Sequence, residues 1–308
     1  MNEKDDFCIL SLDGGGSKGV YTLGVLKEVE ALAGGSLWEK FDLIYGTSTG
    51  AIIAALLAIG LETEEITDIY FKLIPDVMGH KLLWGRSAAL KRNAIEVFGN
   101  KKFDAFKTDV GIVATNFGLG KPMIFKTSVK QAHGRASTFV PGFGCTIADA
   151  LMASSAAYPF FTRQRIETTN QRRQEVLDGG FVGNNPTLFA IADAVHAFKI
   201  PKEKLKVLSI GVGIYNEPRR NPVWRFVLNC WPLYFTRRML ETSSITIEEL
   251  RKILFPELKA IRINDAFPQS EYATDLLESD LDKLQKLNSL GRESFGNHES
   301  ELKGLFGW

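Results

Sequence analysis

The chain has 308 residues, 45% of them hydrophobic and 24% charged, and its 37 basic and 36 acidic side chains leave a formal net charge of +1. This globular composition, without low-complexity tracts, excludes a disordered chain, and the charge balance argues against bulk capture of DNA or RNA. The longest apolar run, residues 51–59, is far below the roughly 18–20 residues of a membrane span, and residues 1–6 are polar and resemble no signal or transit peptide, so a cytoplasmic protein is expected.

Residues 7–12 (FCILSL) form an apolar run bounded by glycines and read as a buried strand. Over 20–32, Val20, Leu23, Leu26 and Val29 share one helical face. Residues 41–45 read as a second strand, 51–59 as a helix buried on most sides, and 63–73 as an amphipathic helix. Strand-like segments at 110–116 and 122–126 flank Gly118-Leu119-Gly120, a hairpin signal. A helix capped by Thr146 is expected over 146–154, a short extended run over 174–177, and a helix with proline in its first turn over 186–198. Residues 205–212 read as a buried strand, 258–263 as the last strand and 275–290 as the last helix; between 216 and 256 the rhythm breaks.

Strands alternating with helices imply an α/β domain around a mostly parallel sheet, and ligands of such sheets bind beyond the carboxyl ends of the strands. The catalytic domain is expected over residues 1–200. Residues 201–308 are expected to complete the sheet within the same unit and to add lid, regulatory or interface helices. Three motifs, at 13–19, 46–50 and 178–180, are all expected at strand ends.

Gly46-Thr47-Ser48-Thr49-Gly50 lies between a strand and an apolar helix. Glycines two residues either side of a serine permit a sharp turn that lifts the hydroxyl clear of the backbone, and the helix dipole favours developing negative charge there. Gly14, Gly15 and Gly16 can turn backbone N–H groups inward as an oxyanion hole, with the charge of Lys18 close by and Gly19 opening the next helix. Gly14–Gly19 also fits a dinucleotide phosphate loop, which leaves a non-enzymatic nucleotide-binding signalling module as the alternative. The acidic residue that reading needs at the end of the next strand is missing, since Glu28 and Glu30 fall on the first helix, and no Walker-type GK[ST] follows.

Asp178, followed by Gly179 and Gly180, supplies a carboxylate on a glycine turn. Of the four histidines, only His196 has the chain order of a Ser/Asp/His triad, but it sits inside a helical pattern rather than on a loop. A dyad in which Asp178 is the base for Ser48 is the more economical site. Cys8, Cys145 and Cys230 show no metal-ligand spacing, and no metal or cofactor is expected.

DGGGSKG at 13–19, GTSTG at 46–50 and DGG at 178–180, with ASSAAYPFF at 153–161, make the chain resemble the patatin-like phospholipases over roughly residues 7–200. Lys18 departs from the arginine many members carry. The resemblance implies a patatin-like three-layer fold and a calcium-independent lipid acyl hydrolase using Ser48, Asp178 and the glycine loop. The soluble form is most similar to bacterial patatin-like effectors of anti-phage signalling. That implies activation by a cyclic nucleotide, membrane phospholipid as substrate, and peripheral membrane contact when active. A regulatory pocket would draw on Arg163, Arg165, Arg172 and Arg173, or on Arg219 and Arg220. Aromatics among arginines at 223–240, and Lys81–Arg86 on a smaller scale, suit a lipid interface or lid, and the tail 302–308 suits docking on another subunit of a homo-oligomer.

Overall fold

The computed structural model describes residues 6–169, 173–216 and 231–308, with only the backbone described over 231–237. Arg172, Arg219 and Arg220, and the aromatic and arginine side chains expected to form a lid over 223–237, lie outside this description.

Two buried strands set the frame. β1 (Phe7–Leu12) pairs in parallel with β2 (Leu43–Thr47) on one side and with β7 (Leu205–Ile210) on the other. β3 (Asp109–Asn116) extends the parallel run beyond β2, and β9 (Lys259–Ile263) extends it beyond β7. β4 (Lys121–Lys126), β5 (Gln164–Glu167) and β6 (Arg173–Asp178) join antiparallel, making an eight-stranded mixed sheet of order β5-β6-β3-β2-β1-β7-β9 with β4 on β3. A separate parallel pair links β8 (Ile214–Tyr215) to β10 (Ala266–Phe267).

The strand period of two divides the core into layers. Leu10, Leu12, Ile44 and Ile112 face α1 (Gly19–Ala33), α2 (Thr49–Ala58), and the core sides of α3 (Thr63–Met78) and α4 (Leu83–Phe98). Ile9, Leu43, Tyr45 and Val113 face the opposite way, onto Ala190 and Ile191 of α6 (Thr187–Ala192) and Ala194 in the π-helical turn that follows. Helices thus cover both faces, the three-layer architecture expected. α5 (Ile147–Ser154) has the predicted Thr146 cap, whose hydroxyl accepts the Asp149 N–H. Among the described residues, no single helix is long and apolar enough to cross a membrane.

Several elements differ from expectation. α4 was not foreseen, because it opens at Leu82 without a side-chain cap. The segment of broken rhythm contains a 24-residue helix, α7 (Trp231–Leu254). The last helix, α8 (Leu281–Phe306), starts later than expected, with the Asp280 carboxylate capping Lys283 N–H, and runs through Gly291 rather than stopping near it. Gly291 is a contact point: a Cβ there would lie 2.1 Å from the Tyr21 carbonyl, and one on Gly24 would lie 2.0 Å from that of Asn288, so the paired glycines let α1 and α8 touch backbone to backbone. The expected intersubunit tail folds onto its own chain, Phe306 and Trp308 packing edge-on against Phe41 with ring centroids 5.8 Å away in both cases.

One detail of topology positions the site. β4 occupies one edge of β3 from Gly111 to Asn116. On the other edge, β2 pairs only as far as Thr47 opposite Val113, and β6 takes over with Asp178 opposite Ala114. β2 and β6 therefore run toward each other along one edge and meet end to end. Asp178 does end its strand, but that strand is antiparallel to the central five. It reaches the carboxyl edge of the sheet because β3 overshoots β2.

Candidate active site

Ser48 sits where β2 turns into α2, with φ 53° and ψ −120°, a conformation side chains other than glycine rarely adopt. The flanking glycines permit it. A Cβ on Gly46 would lie 2.3 Å from the Gly50 carbonyl oxygen, and one on Gly50 would lie 2.3 Å from that of Leu12. The Ser48 N–H donates to Ser154 Oγ at 2.8 Å, and Ser154 in turn donates to the Val113 carbonyl at 2.6 Å. The turn is thereby fixed to α5 and β3, leaving the hydroxyl at the head of α2, which is buried along its whole length.

Asp178 is held by its backbone: its N–H donates to the Ala156 carbonyl at 3.1 Å, and its own carbonyl accepts the Thr115 hydroxyl at 2.8 Å. Of its carboxylate, Oδ1 accepts the Gly180 N–H at 2.7 Å, while Oδ2 is buried and makes no hydrogen bond. Burial pushes its pKa from 3.8 up to about 7, against smaller lowering effects of the Gly180 N–H and the Ser48 hydroxyl beside it. Gly179 donates its N–H to the Ser154 carbonyl at 3.1 Å, so Ser154 braces both halves of the meeting point.

Of the glycine loop, Gly14 departs from the expected role, because its N–H donates to the Asn184 carbonyl at 3.0 Å and its own carbonyl accepts Asn184 Nδ2 at 3.0 Å. The Gly15 and Gly16 N–H groups have no acceptor among the described residues. Gly16 has φ +58°, and a Cβ there would meet the Leu276 carbonyl at 2.4 Å. Lys18 is buried and lies 3.8 Å from Glu241 on α7, so its charge is shared with a carboxylate. Gly19 opens α1, where a Cβ would meet the Thr49 hydroxyl at 2.5 Å, just past Ser48.

Beneath the loop, Asp13 receives both terminal nitrogens of Arg262 (2.7 and 2.5 Å) and the Ser244 hydroxyl (3.0 Å). Ser244 also accepts Asn184 Nδ2 at 2.8 Å, which ties α7 to the loop. The resulting pocket of about 220 Å³ is lined by Gly14, Gly15, Gly16, Lys18, Ser48 and Asp178 on its polar side, and by Phe160, Phe161, Leu240 and Ile245 among its apolar residues. It brings together all three sequence motifs. None of the four histidines lines it, and His196 is exposed. Arg163, Arg165 and Arg173 lie on or beside the outer strands β5 and β6, outside the pocket. Among the described residues, no group of three or more His, Cys, Asp and Glu side chains could hold a metal ion.

Sequence reading missed Ser154, Asn184 and the Asp13–Arg262 pair. Ser154 lay within the small-residue segment 153–161, and Arg262 was a cation set between two isoleucines in the strand KAIRI. Those were the available signals.

A family model described as patatin-like phospholipase matches residues 10–191. The chain is 49% identical over 300 residues to a cUMP-AMP-activated phospholipase of Escherichia coli, covering 97% of this chain and 94% of that protein. It is 24% identical over 331 residues to a cGAMP-activated phospholipase of Escherichia coli (strain TW11681), covering 96% and 88% respectively. Among solved structures, VipD from Legionella pneumophila superposes with a TM-score of 0.51 at 11% identity, over 98% of this chain and 67% of that one, a likeness of fold alone.

Proposed function

The chain belongs to the patatin-like phospholipase family, and from that premise we propose that it hydrolyses acyl esters of membrane phospholipids with a Ser48–Asp178 dyad and is switched on by a cyclic dinucleotide. The observation that carries the dyad is the Asp178 carboxyl: it is buried, its Oδ2 makes no hydrogen bond, and the Ser48 hydroxyl is close enough to act against the burial that raises its pKa to about 7. A base with a pKa near the working pH combines adequate ionisation with adequate proton affinity.

In this mechanism Ser48 Oγ attacks the ester carbonyl carbon as Asp178 takes the hydroxyl proton. The carbonyl oxygen becomes an oxyanion held by the Gly15 and Gly16 N–H groups, each such donor contributing about 3 kcal/mol to the transition state. The α2 dipole and the Lys18 charge add to the positive field at that point. Collapse expels the lysophospholipid alkoxide, which takes the proton from Asp178. Water then attacks the acyl-serine, Asp178 accepting its proton and returning it to Ser48 as the fatty acid leaves. No step requires calcium.

Activation by a cyclic dinucleotide is supported by the two Escherichia coli relatives, which are a cUMP-AMP-activated and a cGAMP-activated phospholipase. The resemblance to anti-phage effectors supports a role in bacterial defence, exerted on the membrane from the cytoplasm. The non-enzymatic alternative leaves the strained serine and the unpartnered carboxylate without a role. Fatty acid release from phospholipid vesicles, measured by mass spectrometry with cyclic UMP–AMP present, tests the proposal. The parent protein is expected to release fatty acid and Ser48→Ala to release none; equal release from both would refute the dyad.

A further inference from the structure

The wall of the pocket formed by Ala157, Phe160 and Phe161 continues outward into two exposed flanks. One is the tip of the β3–β4 hairpin, where Phe117 is 48% and Leu119 is 62% exposed. The Arg163 guanidinium ties this tip to the wall, lying 5.3 Å from the centroid of the Phe117 ring and 5.7 Å from that of Tyr158, itself exposed. The other flank is the start of α4. There Arg86 donates to the Phe160 carbonyl at 3.3 Å and Ser87 Oγ accepts the Thr162 N–H at 2.9 Å, while Leu82 and Trp84 stand 52% and 62% exposed.

Scattered exposed apolar side chains are ordinary on a soluble surface. These differ in the charge that surrounds them. Residues 77–95, 110–148 and 150–166, which supply both flanks and the wall, contain no aspartate or glutamate. Within them Lys81, Lys121 and Arg165 are exposed and have no ion-pair partner among the described residues. The carboxylates that reach the flanks come from elsewhere: Glu175 pairs with Arg163 at 3.2 Å, and Asp275 faces Arg86. Across the pocket, Glu241 is paired with Lys18 and Arg238.

We propose that these two flanks dock the protein on an anionic phospholipid bilayer, with Trp84, Phe117 and Leu119 inserting among the headgroups and Lys81, Lys121 and Arg165 meeting lipid phosphates. Aromatic tips interleaved with cations match an anionic interface. The apolar groups stand on separate projecting tips, which a fluid surface accommodates, whereas a stable protein interface buries a continuous area of about 800 Å² on each partner. Phe160 and Phe161 line the pocket, and their segment is bonded to one flank through Arg86 and Ser87 and to the other through Arg163, so docking there would bring the Ser48 pocket close to the bilayer surface. That last consequence rests on the hydrolase reading above; the docking surface itself is tested without it.

Sedimentation with vesicles of phosphatidylcholine alone, or of phosphatidylcholine with phosphatidylglycerol, is measured on full-length Ser48→Ala protein with cyclic UMP–AMP present. The parent should prefer the phosphatidylglycerol vesicles. Replacing Trp84, Phe117 and Leu119 together by alanine should weaken binding to both vesicle types at least tenfold. Replacing Lys81, Lys121 and Arg165 together by glutamine should abolish the preference for phosphatidylglycerol, at about fivefold per cation and so on the order of a hundredfold in all. With Ser48 restored, both triple variants should turn over a soluble short-chain ester at the parental rate while losing vesicle hydrolysis. A parent that ignores vesicles, or an alanine triple that binds them as well as the parent does, overturns the docking surface. Vesicle binding without any ester hydrolysis would instead leave the surface standing and overturn the hydrolase reading.

Discussion

Asp178 and Asp193 are buried to the same degree, 1% and 2% exposed, yet they are furnished in opposite ways. Asp193, in the π-helical turn after α6, accepts a short hydrogen bond from the Tyr45 hydroxyl and is contacted by Lys126 Nζ at 2.5 Å, His133 Nε2 at 2.6 Å and Gln131 Nε2 at 3.1 Å. It joins β2, β4 and the 129–133 turn into one network. Asp178 receives one backbone N–H, has the Ser48 hydroxyl nearby, and keeps one oxygen without a hydrogen bond. A carboxylate surrounded by donors binds elements together. One starved of donors keeps its affinity for a proton, at a cost in stability.

The contrast predicts opposite phenotypes for the two residues. Asp178→Asn should lower fatty acid release by about 10²–10⁴-fold, the usual contribution of a positioned base, while thermal unfolding shows a melting temperature no lower than the parent's. Asp193→Ala should do the reverse. Stranding Lys126 in a buried network costs about 3–5 kcal/mol, visible in denaturant unfolding, while the molecules that remain folded keep their turnover. An Asp178→Asn variant that unfolds, or an Asp193→Ala variant that is stable but inactive, would break the comparison.

The pH dependence sharpens it. Because the folded pKa of Asp178, about 7, lies above the ordinary carboxyl value of 3.8, the folded state keeps a proton the unfolded chain has lost. Its contribution to stability is therefore neutral below about pH 4, falls between about pH 4 and 7, and levels off above that, for a total of about 4 kcal/mol. Asp178→Asn should remove that slope from the stability profile, whereas Asp193→Asn should retain it. In the parent, kcat/KM on a soluble ester should rise with pH to a plateau, with a midpoint near 7, as the base ionises. The smallest effect is expected at His196. This exposed side chain lies outside the pocket, so His196→Ala should leave ester turnover within about twofold and stability within about 0.5 kcal/mol of the parent. A large loss would restore a histidine-dependent mechanism.

What could be read in advance follows from the range of the interactions. β1, β2 and the serine turn were legible because apolar runs end on glycines that local sterics require. The hairpin was legible from its own turn residues. Ser154, Asn184 and Arg262 were not, because they act across 106, 170 and 249 residues of chain, on Ser48, Gly14 and Asp13. No local pattern encodes such pairings. The last helix runs beyond its expected end at 290 for a related reason: Gly291 admits a neighbouring helix, and such a glycine has the same local signature as one that ends its own helix. The motif at 178–180 was legible as chemistry, but its position depends on β3 running past the end of β2, which only the assembled sheet reveals.

The proposed chemistry depends on activation of Ser48 by Asp178. The most direct test is active-site labelling with a fluorophosphonate, which needs an activated serine but no lipid surface, followed by peptide mass spectrometry. A single adduct on Ser48 is expected in the parent, with labelling slowed by at least a hundredfold in Asp178→Asn. An adduct on another residue, or labelling of Asp178→Asn at the parental rate, would contradict it.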